Sequence, residues 1–135
     1  LRIEYAIPAK YAEVNDNLAT IVGAGIDTFG VPELPTVVNT MVAVRVVGTH
    51  DEMQGHHRLR CLVRDEDHEV VGPELDAEFD LDIGAANELR EDWLQNTMLS
   101  LGIQFDAETE GAYTITVIVD EAEIAVPFFV RQIAV

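Results

Sequence analysis

Alternation in twos runs through almost the whole chain. AYTITVIV (112–119), TMLSLGIQF (97–105), HRLRCLVR (57–64) and LRIEYAI (1–7) each place an apolar residue at every second position. The 3.6-residue spacing of an amphipathic helix is scarce. Successive side chains of a strand point to opposite faces, so this pattern specifies half-buried strands. VVNTMVAVRVV (37–47) is apolar on both sides and reads as a central strand. LATIV and GIDTF are short extended pieces either side of Gly23 and Gly25, and VPELP (31–35), with two prolines, is a loop. DAETEG (106–111) and DEAE (120–123) join the last three strands into a meander of hairpins. Pro127 lacks a ladder donor, which places the last strand at an edge or a bulge. GAANELREDWLQ (84–95) is the one helical stretch, with Asn87 as cap and Leu89 and Trp93 four apart on one face.

The expected architecture is all-β: a single-domain antiparallel β-sandwich of about eight strands over residues 1–135, with one short helix near 85–95. A sandwich suits the sequence better than a barrel, because the connections at 30–36 and 84–95 can cross between two sheets. A length of 135 residues, 48% of them apolar, can bury a core of its own. The formal charge of −17 comes from 25 acids against eight bases, of which Lys10 is the single lysine. Such a surface repels phosphates and anionic lipid, so neither nucleic acid nor membrane is an expected partner. It suits a basic protein partner, divalent cations or a high-salt milieu. The lone Cys61 excludes an internal disulfide, and the charged, alternating start does not read as a signal peptide. A cytoplasmic location is the expectation.

Most chemistry is excluded residue by residue. Ser100, the only serine, lies mid-strand without a nucleophile elbow. Cys61 falls on the inward side of its strand, where a thiol behaves as a small hydrophobe. GAGIDTFG (23–30) misplaces the third glycine of a dinucleotide fingerprint, and Pro32 prevents the helix that should follow. No cofactor is expected; a divalent metal is the one candidate. His50, Glu52, His56 and His57 share one loop, and His50-x-Glu52 begins a two-histidine, one-carboxylate pattern. The plainer reading is a solvated loop, with His57 turned inward by its alternation with Leu59. A calcium-assisted ligand module is a further alternative, using the acidic turns DEDHE (65–69) and DAETEG.

ELDAEFDLDI (74–83) sets Glu74, Asp76, Glu78, Asp80 and Asp82 along one side of a strand. Same-side carboxylates about 6.7 Å apart cannot share one ion, which favours a wet or charge-protected edge over a metal site. If Arg64 pairs with Val70, then Arg60 meets Glu74 and Arg58 meets Asp76. A bulge at Gly72-Pro73 that slips this register by one would undo the pairing. Asp80 and Asp82 are expected to stay unpaired. Glu78, Asp80 and Asp82 then form a candidate docking strip for a basic partner.

EYAIPAKYAEVNDNLATIVGAGIDTF (4–29), HHRLRCLVRDEDHEVVG (56–72) and FDAETEGAYTITVIVDEAEIAVPFFV (105–130) together resemble a family of small bacterial proteins known only as a domain of unknown function. Here His68 stands where that family's turn has glycine, and Asn17 where it has lysine. The resemblance implies a β-sandwich with no established activity, and it brings no site residues. The expected function is therefore non-catalytic, through self-association or protein binding. VVNTMVAVRVV and IAVPFFVRQIAV (124–135) carry more apolar residues than one core face needs, which points to a homo-oligomer.

Overall fold

A computed structural model describes residues 1–83, 90 and 92–133. Among them are nine strands and one four-residue helix. In chain order these are β1 (Arg2–Asn15), β2 (Leu18–Ala24), β3 (Thr28–Val31), β4 (Thr36–Gly48), α1 (His50–Met53), β5 (Gly55–Arg64), β6 (Leu75–Leu81), β7 (Gln95–Ala107), β8 (Gly111–Val119) and β9 (Ala122–Gln132). A four-stranded sheet in the order β2-β1-β4-β7 packs on a five-stranded sheet in the order β3-β9-β8-β5-β6. One pair departs from the antiparallel rule: β3 runs parallel to β9, from Thr28 beside Phe129 to Val31 beside Gln132. Most of the helical stretch read at 84–95 lies outside the described residues. Asp92 and Trp93 form a turn and bend, and Gln95 already belongs to β7.

Alternation decides what each strand buries. Val38, Val42, Val44 and Val46 of β4 and Leu101, Ile103 and Phe105 of β7 face Leu59, Cys61 and Val63 of β5 and Ile115, Val117 and Val119 of β8. At one end the core is aromatic, with Phe128 of β9 ringed by Phe29, Phe105 and Tyr113. Pro127 is accommodated as its missing donor requires. Phe129 N–H donates to Asp27 O, so odd-numbered amides of β9 point away from β8. Position 127 lies before β3 begins, and no ladder bond is lost there.

Part of the surplus apolar face of β4 is covered by the chain itself: Ala43 and Val47 are buried, whereas Val37 is 50% exposed. Pairing between β1 and β4 ends at Ala9 and Met41, and beyond it β1 pairs only with β2. The β1–β2 hairpin then leans over the outer face of the four-stranded sheet. Ser100 Oγ donates to Ala12 O at 2.7 Å, and Ala43, opposite Ser100, is fully buried. At the hairpin tip Asp16 and Asn17 have φ of 52° and 58°, the left-handed pair that a tight two-residue turn demands.

Asn17 does more than turn. Its Oδ1 accepts from Met98 N–H at 2.8 Å, and its Nδ2 donates to Asn96 O at 2.9 Å. One amide thus satisfies a donor and an acceptor on the edge strand β7, as a further strand would. Asn17→Ala should cost about 1–2 kcal/mol in urea denaturation, from two lost hydrogen bonds and a strained φ. Asn17→Gly, which keeps the φ but not the amide, should recover only part of that loss. Equal stability of all three chains would show that the edge contact contributes nothing.

Candidate functional site

The acidic strand β6 lies at the edge of the five-stranded sheet beside β5. Arg64 does meet Val70, but Cys61 then meets Leu75, a register two residues further on. The slack is taken up around Gly72 (φ 97°), where a Cβ would stand 2.9 Å from Phe105 Cα. An even shift keeps every acid on the outer face. Arg60 is consequently opposite Asp76, and Arg58 opposite Glu78. The long guanidinium arms nevertheless reach back one rung on the diagonal. Arg58 binds both oxygens of Asp76 at 3.0 and 2.6 Å, and Arg60 Nε donates to Glu74 at 2.7 Å. The hydrogen bonds from Arg58 hold the Asp76 carboxyl below its ordinary range.

The second half of the ladder has partners too. His56 Nδ1 lies 2.9 Å from Asp80, and its Nε2 lies 3.5 Å from Glu78. Hydrogen bonds to Asp80 first and Glu78 second raise the pKa of His56. Asp80 is therefore not unpaired as expected, and Asp82 is engaged as well. The two carboxylates sit on opposite nitrogens of one ring, so they bridge the imidazole instead of converging on an ion. Five carboxylates against two arginines and one imidazole leave the edge net negative, which discourages strand addition.

One residue further on, alternation turns His57 inward. Its side chain is 4% exposed, tilted beside Phe79 with ring centroids 5.4 Å apart. Nδ1 lies 2.6 Å from Asp120 Oδ2, and Nε2 lies 2.5 Å from Met53 O. Asp120, at the β8–β9 turn with φ 53°, also accepts from Arg58 N–H at 2.9 Å. Partial burial pushes the Asp120 carboxyl up, but the hydrogen bonds from His57 and Arg58 outweigh it and hold it low. A histidine–carboxylate pair can hold and pass a proton. Here, however, the far nitrogen is occupied by a backbone carbonyl, so no ring lone pair faces solvent. The pair fastens α1 and the β8–β9 turn to β5.

His50, Glu52, His56 and His57 are thus dispersed by the fold. Glu52 completes a capping box, accepting from Thr49 N–H at 2.9 Å, and the Leu1 amino group also donates to it. His50 opens α1, His56 faces the acidic strand, and His57 faces the core. Among the described residues, no group of three or more His, Cys, Asp or Glu could hold a metal ion. The two acidic turns read as a calcium alternative do meet at one end of the sandwich. Three of their carboxylates bind backbone: Glu66 accepts from Ala112 N–H, Asp65 from Asp67 and Glu69 N–H, and Glu110 from Gln132 N–H. Within DEDHE, His68 takes φ 63°, a left-handed conformation that glycine adopts without strain.

The remaining feature is the outer face of β9. Ile124, Val126, Phe128 and Val130 turn to the core, leaving Glu123, Ala125, Pro127, Phe129 and Arg131 outside. Phe129 is 55% exposed. Ala112 and Thr114 of β8, opposite Phe129 and Pro127, continue this face, whereas Thr116 and Leu62, further along it, are buried at 4% and 3% exposure.

Residues 4–131 match the model of a family described as Family of unknown function (DUF6941). The chain belongs to DUF6941. That description names no activity, and no curated protein matches the chain. Among the described residues of this DUF6941 chain, no helix is long and apolar enough to cross a membrane.

Three features of the DUF6941 chain escaped the sequence reading. The capping box was legible in THDE (49–52), which has the threonine-to-glutamate spacing of a helix start. Exposure of Phe129 was legible in the doublet FF, since neighbours on a strand cannot both face inward. The His57–Asp120 contact had no local signal, because 63 residues separate its members.

Proposed function

We propose that this DUF6941 chain acts through protein contact, as a homo-oligomer that meets another copy on the outer face of its five-stranded sheet. The observation that carries this reading is the neutral strip along β9 and β8, centred on Ala125, Pro127 and Phe129, in a chain of net charge −17. An exposed aromatic among small neutral residues, with charges only at the rim, has the anatomy of a contact core.

Sedimentation velocity at tens of micromolar and moderate salt should detect a species larger than the monomer. Each copy is strongly negative, so lowering the salt should weaken association as screening is lost. Phe129→Glu should weaken it by at least about tenfold, since a carboxylate would be buried without a partner. At a concentration low enough to keep both chains monomeric, its melting temperature should stay close to that of the unaltered chain. A strictly monomeric protein at moderate salt would sink the proposal.

A further inference from the structure

We infer that the second copy is related by a two-fold axis lying across β9 at Pro127, so that the two β9 strands face each other antiparallel. This rests on the self-association proposed above and specifies its geometry. When two sheet faces meet with their strands aligned, the two-fold axis in the contact plane runs either along the strand or across it. The outward residues of β9 read Glu123, Ala125, Pro127, Phe129 and Arg131, an acid at one end and a base at the other. An axis along the strand would set Glu123 against its own copy, Arg131 against its own copy, and Phe129 on Phe129.

An axis across the strand at Pro127 reverses the order. Glu123 then faces Arg131 of the other copy at both ends, and the small Ala125 faces the large Phe129. Charge and volume are independent properties of this sequence, and both select the same axis. Neither rim charge has an ion-pair partner among the described residues, so both are available. On β8, Thr114 sits opposite Pro127 and meets itself, while Thr116, opposite Ala125, is buried within its own chain and takes no part in the contact. The one like-charge pair is Arg64 with its own copy, two strands from β9 and opposite Thr114. It falls at the rim, where water screens it and the other chain's net negative charge favours a cation.

The test uses Glu123→Arg and Arg131→Glu in the full chain, followed by sedimentation velocity at moderate salt. Each alone should weaken self-association by about tenfold or more, because it opposes like charges at both ends of the contact. An equimolar mixture of the two should restore association, since every rim pair is then opposite in sign. Both residues are exposed, and unchanged circular dichroism checks that each variant folds. If the unaltered chain associates, and Phe129→Glu disrupts it, while both reversals behave like the unaltered chain, the axis is wrong and the contact face stands. If the mixture stays monomeric although each variant is folded, the antiparallel pairing is overturned. A monomeric unaltered chain removes the contact face and the axis together.

Discussion

Phe128→Ala is expected to destabilise the protein by about 3–5 kcal/mol, from lost transfer energy and the cavity left behind. Phe128 is fully buried, with Phe29 and Phe105 each 5.3 Å away by ring centroid and Tyr113 at 5.7 Å. Phe105 belongs to the four-stranded sheet, and the other three rings to the five-stranded one. The ring therefore lies where the two sheets join, and its loss cannot be repaired by one neighbour's rotamer. Urea denaturation measures the effect. A drop below about 1.5 kcal/mol would mean that the aromatic end repacks freely. Phe129→Ala, one residue away on the exposed face, is the control and, at a concentration where the chain is monomeric, should change stability by less than about 0.5 kcal/mol.

His57→Ala is expected to cost about 2–4 kcal/mol, because the ring's removal takes one donor from each of two acceptors and leaves a cavity beside Phe79. Met53 O loses its side-chain donor, and the Asp120 carboxylate keeps only Arg58 N–H. The link is also visible in pH dependence. The Asp120 carboxyl lies below its ordinary value when folded, so its contribution is full above the unfolded value. It is then lost as pH falls through the folded value. Asp120→Asn can still accept from His57 and still tolerates the left-handed turn, but it cannot titrate. Its stability should decline less steeply on acidification below the ordinary carboxylate range. Because the Asp120 side chain is 38% exposed, solvent screens the pair and the difference in slope will be modest. Equal slopes for the two proteins would remove Asp120 from the acid response.

Local rules carried some parts of the fold and failed at others for identifiable reasons. The ion pairs Arg58–Asp76 and Arg60–Glu74 were legible because parity alone put arginines and acids on one face. Their register was not, because the two-residue slip depends on how closely Gly72 approaches β7. Long side chains absorbed the slip on the diagonal, so the pairs survived a change in the residues directly opposite. The four loop residues His50, Glu52, His56 and His57 looked like a cluster because they are near in sequence. Alternation along β5 separates the two adjacent histidines to opposite faces, and a capping box claims Glu52.

By itself the sequence determined the strand pattern, the inward and outward faces and the acidic edge, all consequences of a two-residue period that each strand expresses alone. The tertiary structure alone decided that β1 and β2 lean over β4, that β3 joins β9 in parallel, and that Asp120 reaches His57. Those contacts join residues far apart in the chain. Their geometry is set by turn conformation and by packing between sheets, and neither leaves a period in the sequence.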